Sequence, residues 1–449
     1  MEFEGVLKLG KVLITNNIEW KKNLDTIFTS MGLKKNYFLN DVIIYRKQYL
    51  NNKNCYINGN NMVGCVGTWA YLGLTQNDGL KLLYEDAVIR NLSVEEIRKN
   101  LVGSYCCIIQ NDKRKKIFVD ETHTYAIYYY ISDDYYILTN TFYHIQKTTK
   151  QKINEKVFKI VCAKKGLSSN QTIFNNILRL WEDEYLQIDE KGAVVKKCDL
   201  NTKKYSFNSY QECLDVLQKE ILKYSHILNG NVHKKMLFAT GGADSRLKLA
   251  LDLKDRKTVS LAYWSGNNVI TNGTKEDRKI NNCLAKKCGV DTHFFDVSEE
   301  LEYSLDNIKN SMEFLGEYCT IYANNSKWLK MVDRIHEIDL EIDEIELGYD
   351  PDVLREVGTI EASYKKPYTI EDLIESSYLR SGLFKRVFEM GNVAELIEEE
   401  LSSTGIYKKD ESLTIEAAVN LFNYCRLDMG SILMNFFNQY YYCTNLIYI

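Results

Sequence analysis

No CxxC pair and no Cys/His cluster at zinc spacing occurs among the twelve cysteines of this chain, which excludes the common structural zinc sites and the dithiol redox motif. The cysteines read as small buried hydrophobes in a reducing compartment. No stretch reaches the roughly 18 apolar residues of a membrane helix, and the opening MEFEGVLKLGKVLITNN lacks the apolar region of a signal peptide. Charge is nearly balanced, with 57 basic and 61 acidic side chains and a net −4, so no basic nucleic-acid footprint exists. Lys113, Arg114, Lys115 and Lys116 form only a short run of the kind found in a solvated turn. His123, His144, His226, His233 and His336 have no partner spacing. These absences point to a soluble cytoplasmic protein with neither nucleic acid nor membrane as partner.

Only two prolines occur in 449 residues, and the chain divides without a Pro/Gly linker. At roughly 100–200 residues per domain, two domains are expected. The first, residues 1–204, reads as an α+β sandwich. YCCIIQ (105–110), KIFVD (116–120), AIYYYIS (126–132) and YYILTN (135–140) are short β-branched and aromatic runs between polar turns. Cys106 and Cys107 should point to opposite faces of one strand. GLKLLYEDAVIRN (79–91) has helical spacing, and Ser93 with Glu96 forms a capping signal before SVEEIRKNLVG. The second domain, 205–449, alternates helix and strand: helix 209–228, strand 235–240, helix 245–254, strand 258–265, helix 275–289, strand 292–298. Short connections between such elements indicate a parallel α/β sheet. Beyond Leu301 the chain reads as mostly helical.

The sharpest chemical signal is ATGGADSR (239–246), between a buried strand and a helix. Gly241 and Gly242 allow a tight turn with no Cβ in the way of a ligand. The amides that follow point outward at a helix N-terminus, where phosphate is favoured. Ser245 adds a hydroxyl, and Asp244 can hold a magnesium ion that accompanies the phosphate. The competing interpretation is an ordinary strand–turn–helix corner.

TGGADSR resembles the SGGxDS pyrophosphate loop of the ATP pyrophosphatases, in particular the asparagine-synthetase family. The resemblance continues through TVSLAYWSG and through KEDRKINNCLAKKCGVDTHFFDVS, where CGVDTHF (288–294) matches that family's third strand and includes His293. It implies a PP-loop-like adenine-nucleotide α-hydrolase fold, with ATP and Mg²⁺ as cofactors and Thr240, Gly241, Gly242, Asp244, Ser245 and Tyr263 at the nucleotide. A second family motif, GxGxDExxGGY, is placed on DLEIDEIELGY (339–349). Asp343, Glu344, Gly348 and Tyr349 match, whereas Asp339, Glu341 and Leu347 stand where glycines belong. This placement implies that Asp343 and Asp244 share one metal. The alternative for EIDLEIDEIE is an exposed acidic face.

The front half resembles the family's glutamine amidotransferase domain more loosely, through residues 100–142, including Asp120 and Tyr128–Tyr130, and through QTIFNNILRLWEDEYLQID (171–189). Such glutaminases use a cysteine directly after the initiator Met, whose freed amine serves as base. Here Glu2 stands at that position, and the first cysteine is Cys55. The resemblance therefore implies an asparagine-synthase-related, AMP-forming amide ligase that takes ammonia or an amine and a small-molecule or peptide carboxylate. Asparagine biosynthesis is one such role, and a partner protein of the same pathway is a further expectation. The rival is a pseudoenzyme or scaffold of the same fold, suggested by the eroded second motif and by a C-terminus at NLIYI where relatives continue.

Overall fold

The computed structural model describes residues 11–30, 35–39, 41–45, 54–112, 114–122, 124–164, 166–199, 206–230, 232, 234–265, 272–296, 326–339, 341–347, 369–375, 390–409, 412–414, 417–421, 434–438 and 440–444. The first half builds two antiparallel six-stranded sheets. One has the order β10 (Leu178–Arg179), β8 (Tyr128–Ile131), β9 (Tyr136–Thr139), β1 (Lys11–Thr15), β3 (Val42–Tyr45), β2 (Lys35–Leu39). The other runs β12 (Gly192–Lys197), β11 (Glu184–Asp189), β7 (Arg114–Val119), β6 (Leu101–Asn111), β5 (Asn61–Tyr71), β4 (Cys55–Asn58).

Strand alternation sorts their side chains into layers. Val12, Ile14, Val42 and Ile44 of the first sheet meet Val66, Cys106 and Ile108 of the second in a shared interior. Leu13, Ile43 and Ile137 point outward onto α1 (Ile18–Ser30), α4 (Phe142–Thr149) and α5 (Glu155–Lys164). Val63, Cys65, Cys107 and Ile109 point the other way, onto α2 (Gln76–Tyr84), a π-helical turn (Glu85–Ile89) and α3 (Val94–Arg98). The result is a four-layer sandwich of helices, sheet, sheet and helices, and Cys106 and Cys107 face opposite layers as expected. Ser93 caps α3 through a reciprocal pair with Glu96.

The second half forms a five-stranded sheet, all parallel, in the order β15 (Asp291–Asp296), β14 (Thr258–Ser265), β13 (Lys234–Phe238), β16 (Glu344–Leu347), β17 (Tyr442–Thr444). Helices α6 (Tyr210–Asn229), α7 (Ala243–Lys254) and α8 (Asn272–Cys288) connect or precede the first three strands. Further on lie α9 (Ser326–Ile338), α10 (Ile370–Leu373) and α11 (Met390–Ser403). One sheet face, Leu237, Val259 and Leu261, packs under α7 and α8 with Leu249 and Ala285. The opposite face, Met236, Phe238, Ala262 and Ile345, joins the core that covers the outside of the first antiparallel sheet. Residues from both halves thus share one hydrophobic cluster.

Polar contacts reinforce that junction. Lys164 of α5 is ion-paired at 2.6 Å with Glu400 of α11, both fully buried. Thr68 and Ser104 bond the two ends of the Asn438 amide, and Thr68 also accepts from the amide of Cys443, the middle residue of the last strand. Thr68 and Ser104 sit opposite each other between Gly67 and Gly103, whose φ angles are +103° and +115°. A Cβ on either glycine would lie 2.1 Å from a carbonyl oxygen of the facing strand, so only glycine permits this close crossing. β17 itself was not foreseen: the aromatic run YYYCT reads as the end of a helical region, but it supplies an edge strand on β16.

Candidate nucleotide-binding site

From β13 the chain steps to β14 and then β15 in one direction, and later returns to place β16 on the other side of β13. The strand order therefore reverses between β13 and β16. In open parallel sheets, ligands bind outside the carboxyl ends of strands at such a reversal. The loop that leaves the carboxyl end of β13 is Ala239–Gly242, and it opens directly into α7 with Gly242 at the N-cap.

The loop is held from two helices. Ser245 of α7 is 1% exposed, and its Oγ accepts from the Thr240 amide at 3.0 Å. From α8, Asp277 Oδ1 accepts from the Gly241 amide at 2.7 Å, and Asn281 Nδ2 donates to the Ala239 carbonyl at 2.7 Å. Thr240 Oγ1 accepts from the Gly242 amide at 3.3 Å, and Arg246 Nε reaches the Gly242 carbonyl. A Cβ on Gly241 would lie 2.7 Å from Ile280 Cδ1 and 2.8 Å from Asp277 Oδ1, so a side chain here would displace the ends of both α8 residues from the loop. Asp244 lies half-buried in the first turn of α7.

Beneath the loop, the inward stripe of α7 carries Ser245, Lys248 and Asp252, which is helical spacing. These meet a charge cluster on the sheet. Lys235 of β13 is ion-paired with Asp252 at 3.0 Å, Glu344 at 3.1 Å and Glu346 at 2.6 Å, and it donates to Asn229 of α6 at 2.5 Å. Lys248 pairs with Glu346 at 2.8 Å, and Thr444 of β17 donates to Glu344. Burial alone would lower the Lys235 ammonium, but the three carboxylates outweigh it and hold it raised. Burial would raise Glu346, but Lys235 and Lys248 outweigh it and hold the carboxyl low. Asp252 goes the other way: burial and the Glu346 charge push it up to about 8. Three carboxylates face two ammonium groups, and Asp252 Oδ2 and Glu346 Oε2 are buried acceptors with no donor. One proton on Asp252, whose carboxyl is hydrogen-bonded with that of Glu346, balances the charge.

The alternative of an exposed acidic face at EIDLEIDEIE fails for Glu344 and Glu346, which are fully buried in an interior strand, and holds for Glu341, which is exposed. The structure also corrects the metal assignment of Asp343. That residue precedes β16 and pairs with Lys234 at the amino end of β13. Asp244 lies past the carboxyl end of the same strand. The four residue steps from Lys234 to Phe238 span about 13 Å, beyond the reach of one shared cation. Of the two acids matched to the second motif, Asp343 precedes β16 and Glu344 begins it. Gly348 and Tyr349 lie outside the described residues. Among the described residues, no group of three or more His, Cys, Asp or Glu side chains gathers as a metal cage.

Tyr263 lies near the carboxyl end of β14, largely buried, with its ring 5.0 Å from Phe294. The Arg278 guanidinium stacks 4.8 Å over Phe294 and bonds Tyr263, whose phenol is raised by burial. Phe294, beside Tyr263, is 40% exposed, and Trp264, turned by strand alternation to the opposite face of the sheet, is 38% exposed. Sequence inspection singled out neither of these, nor Asp277, although the acidic start of α8 was visible.

In the front half, burial raises the thiols of Cys162 and Cys198. Cys65, Cys106 and Cys107 are fully buried, and burial raises the thiols of Cys65 and Cys106. Two open recesses of about 600 and 590 Å³ adjoin the β6–β7 and β11–β12 turns, lined by mixed charges such as Lys116, Asp189 and Glu190, with no convergent set of groups.

No family model matches the chain, and no curated protein matches it either. Among solved structures, it is similar to glutamine phosphoribosylpyrophosphate amidotransferase from B. subtilis complexed with ADP and GMP, at 10% identity and a TM-score of 0.26, over 71% of this chain and 79% of that one. An allosteric regulatory enzyme of purine biosynthesis matches at 10% identity and a TM-score of 0.26, over 64% and 74%. Glutamine-dependent NAD⁺ synthetase from Acinetobacter baumannii, in complex with ADP, matches at 10% identity and a TM-score of 0.23, over 58% and 63%. Superposition at this level supports no inference about fold or function.

Proposed function

We propose that this chain binds Mg-ATP at the loop Thr240–Ser245 and uses it to activate a carboxylate as an acyl-adenylate, which ammonia or an amine then converts to an amide. The observation that carries the nucleotide assignment is positional. A Gly-Gly loop opens a helix at the point where the order of a parallel sheet reverses. The adenylation chemistry rests on the likeness of TGGADSR to the ATP-pyrophosphatase loop.

In this function Gly241 and Gly242 admit the phosphate chain, and the N-terminus of α7 favours its charge. Asp244 fits a magnesium ion that takes one protein carboxylate and fills its other positions from phosphate and water. Such an ion would neutralise the leaving pyrophosphate. Phe294, 40% exposed beside Tyr263 on the face that carries α8, offers ring surface on which an adenine base can stack. Ser245, Lys248 and Asp252 hold α7 against β13 and β16, so the loop keeps its place while charge moves across it.

Calorimetric titration with ATP and Mg²⁺ tests this. Asp244→Asn is expected to abolish metal-dependent binding, and Asp343→Ala to leave it unchanged, because Asp343 lies at the other edge of the sheet. Unchanged affinity in Asp244→Asn would overturn the site. One observation favours a second reading, a scaffold that uses the loop only structurally: the amides of Thr240, Gly241 and Gly242 are all satisfied from within the chain. Absence of any ATP- and Mg²⁺-dependent rise in melting temperature would select that reading.

A further inference from the structure

The Gly241 amide is the central donor of the glycine loop, and a carboxylate already occupies it. Asp277 Oδ1 sits 2.7 Å from that nitrogen. The placement is enforced, because Asp277, Ile280 and Asn281 lie on one face of α8 and all three touch the loop. No Cβ on Gly241 intervenes. A phosphate oxygen that seeks the same N–H must therefore approach a second anion held by the fold.

Among the described residues, no cation is ion-paired with Asp277. Asp244 adds a second carboxylate in the first turn of α7. Arg246 brings one guanidinium, held at the Gly242 carbonyl. Lys248 is turned beneath the loop onto Glu346, and Arg278 is stacked on Phe294. Among the described residues, the carboxylates of Asp277 and Asp244 make a poor receptor for a bare polyphosphate. They make a good one for a polyphosphate that carries a divalent cation, since like charges tolerate one another only with a cation between them.

We propose that Asp277 is a specificity-determining residue of the loop: seated on the Gly241 amide, it rejects metal-free phosphate chains and admits the metal-bound triphosphate. This rests on the nucleotide assignment above and adds the rule by which the loop selects its ligand. When the metal-bound chain enters, the amide passes from the carboxylate to a phosphate oxygen, and the carboxylate turns toward the incoming cation's charge.

The test compares binding of ATP in EDTA with ATP in excess Mg²⁺, by calorimetry on the full chain. Asp277→Asn keeps an acceptor for the Gly241 amide and removes the charge, whereas Asp277→Ala removes both. In both variants metal-free ATP is expected to bind at least about tenfold more tightly than in the unaltered protein, a change of about 1.4 kcal/mol, with a smaller change for Mg-ATP. Melting curves of the two variants establish that both are folded. If metal-free ATP binds Asp277→Asn no more tightly, or if only Asp277→Ala responds, the carboxylate merely positions α8 and the proposal is overturned. If the unaltered protein binds neither form, the nucleotide assignment fails first and the selection rule falls with it.

Discussion

Lys235→Met offers a quantitative test of the buried charge cluster. The substitution keeps most of the side-chain stem and removes the ammonium that faces Asp252, Glu344 and Glu346 within 3.1 Å. Lys248 then remains as the cation among three buried carboxylates. Removing one partner of a buried pair costs about 3–5 kcal/mol, because an uncompensated charge stays behind. Here at least one more carboxylate must take up a proton at neutral pH, which costs about 1.4 kcal/mol for each unit between its ordinary pKa and the pH. For a group near 4.5 at pH 7 that is roughly 3 kcal/mol, within the same range. Urea unfolding followed by tryptophan fluorescence is the assay, since Trp264 lies on β14 of the same sheet. The deficit should shrink as pH falls. The remaining carboxylates then have folded pKa values above their unfolded ones, so stability is present at low pH and lost as pH rises. A loss below about 1 kcal/mol at pH 7, the range of an exposed pair, would refute the cluster as described.

Two further outcomes follow from particular groups. Asp252 titrates near 8 in the fold, above the ordinary carboxylate value near 4, so its contribution to stability is complete below about pH 4 and lost as pH rises through about 8. Asp252→Asn imitates the protonated acid, and its stability relative to the unaltered protein should therefore climb across that window; a flat difference between pH 5 and pH 9 would dismiss the shared proton. Because burial raises the Cys65 and Cys106 thiols, the protein should release no glutamate from glutamine above background, and thiol-sensitive release would contradict this.

The change from short alternating strands to a parallel sheet was legible in the residues because local pattern decides it. Alternating apolar and polar runs, the Ser93–Glu96 cap and the strand–helix alternation from Tyr210 onward all express local preference, and the structure places elements there. β14 coincides with the run TVSLAYWS. The glycine loop was legible for the same reason, since Gly241 and Gly242 followed by Asp-Ser between strand and helix form a contiguous signal.

What the tertiary structure alone decided depends on which strands become neighbours. Nothing in DLEIDEIELGY tells whether its acids are solvated, face a metal or lie in a core. Placing β16 beside β13 buried Glu344 and Glu346 against Lys235, and put Asp343 at the amino edge, away from Asp244. Asp277 acquired its place on Gly241 across 36 residues of chain, and Lys164 met Glu400 across 236. The terminal YYYCT became a strand because β16 had an open edge to satisfy. Local sequence sets backbone geometry over a few residues, but the sign and burial of a charge's surroundings are set by distant segments that packing brings together, and that is where the chemistry of this site was decided.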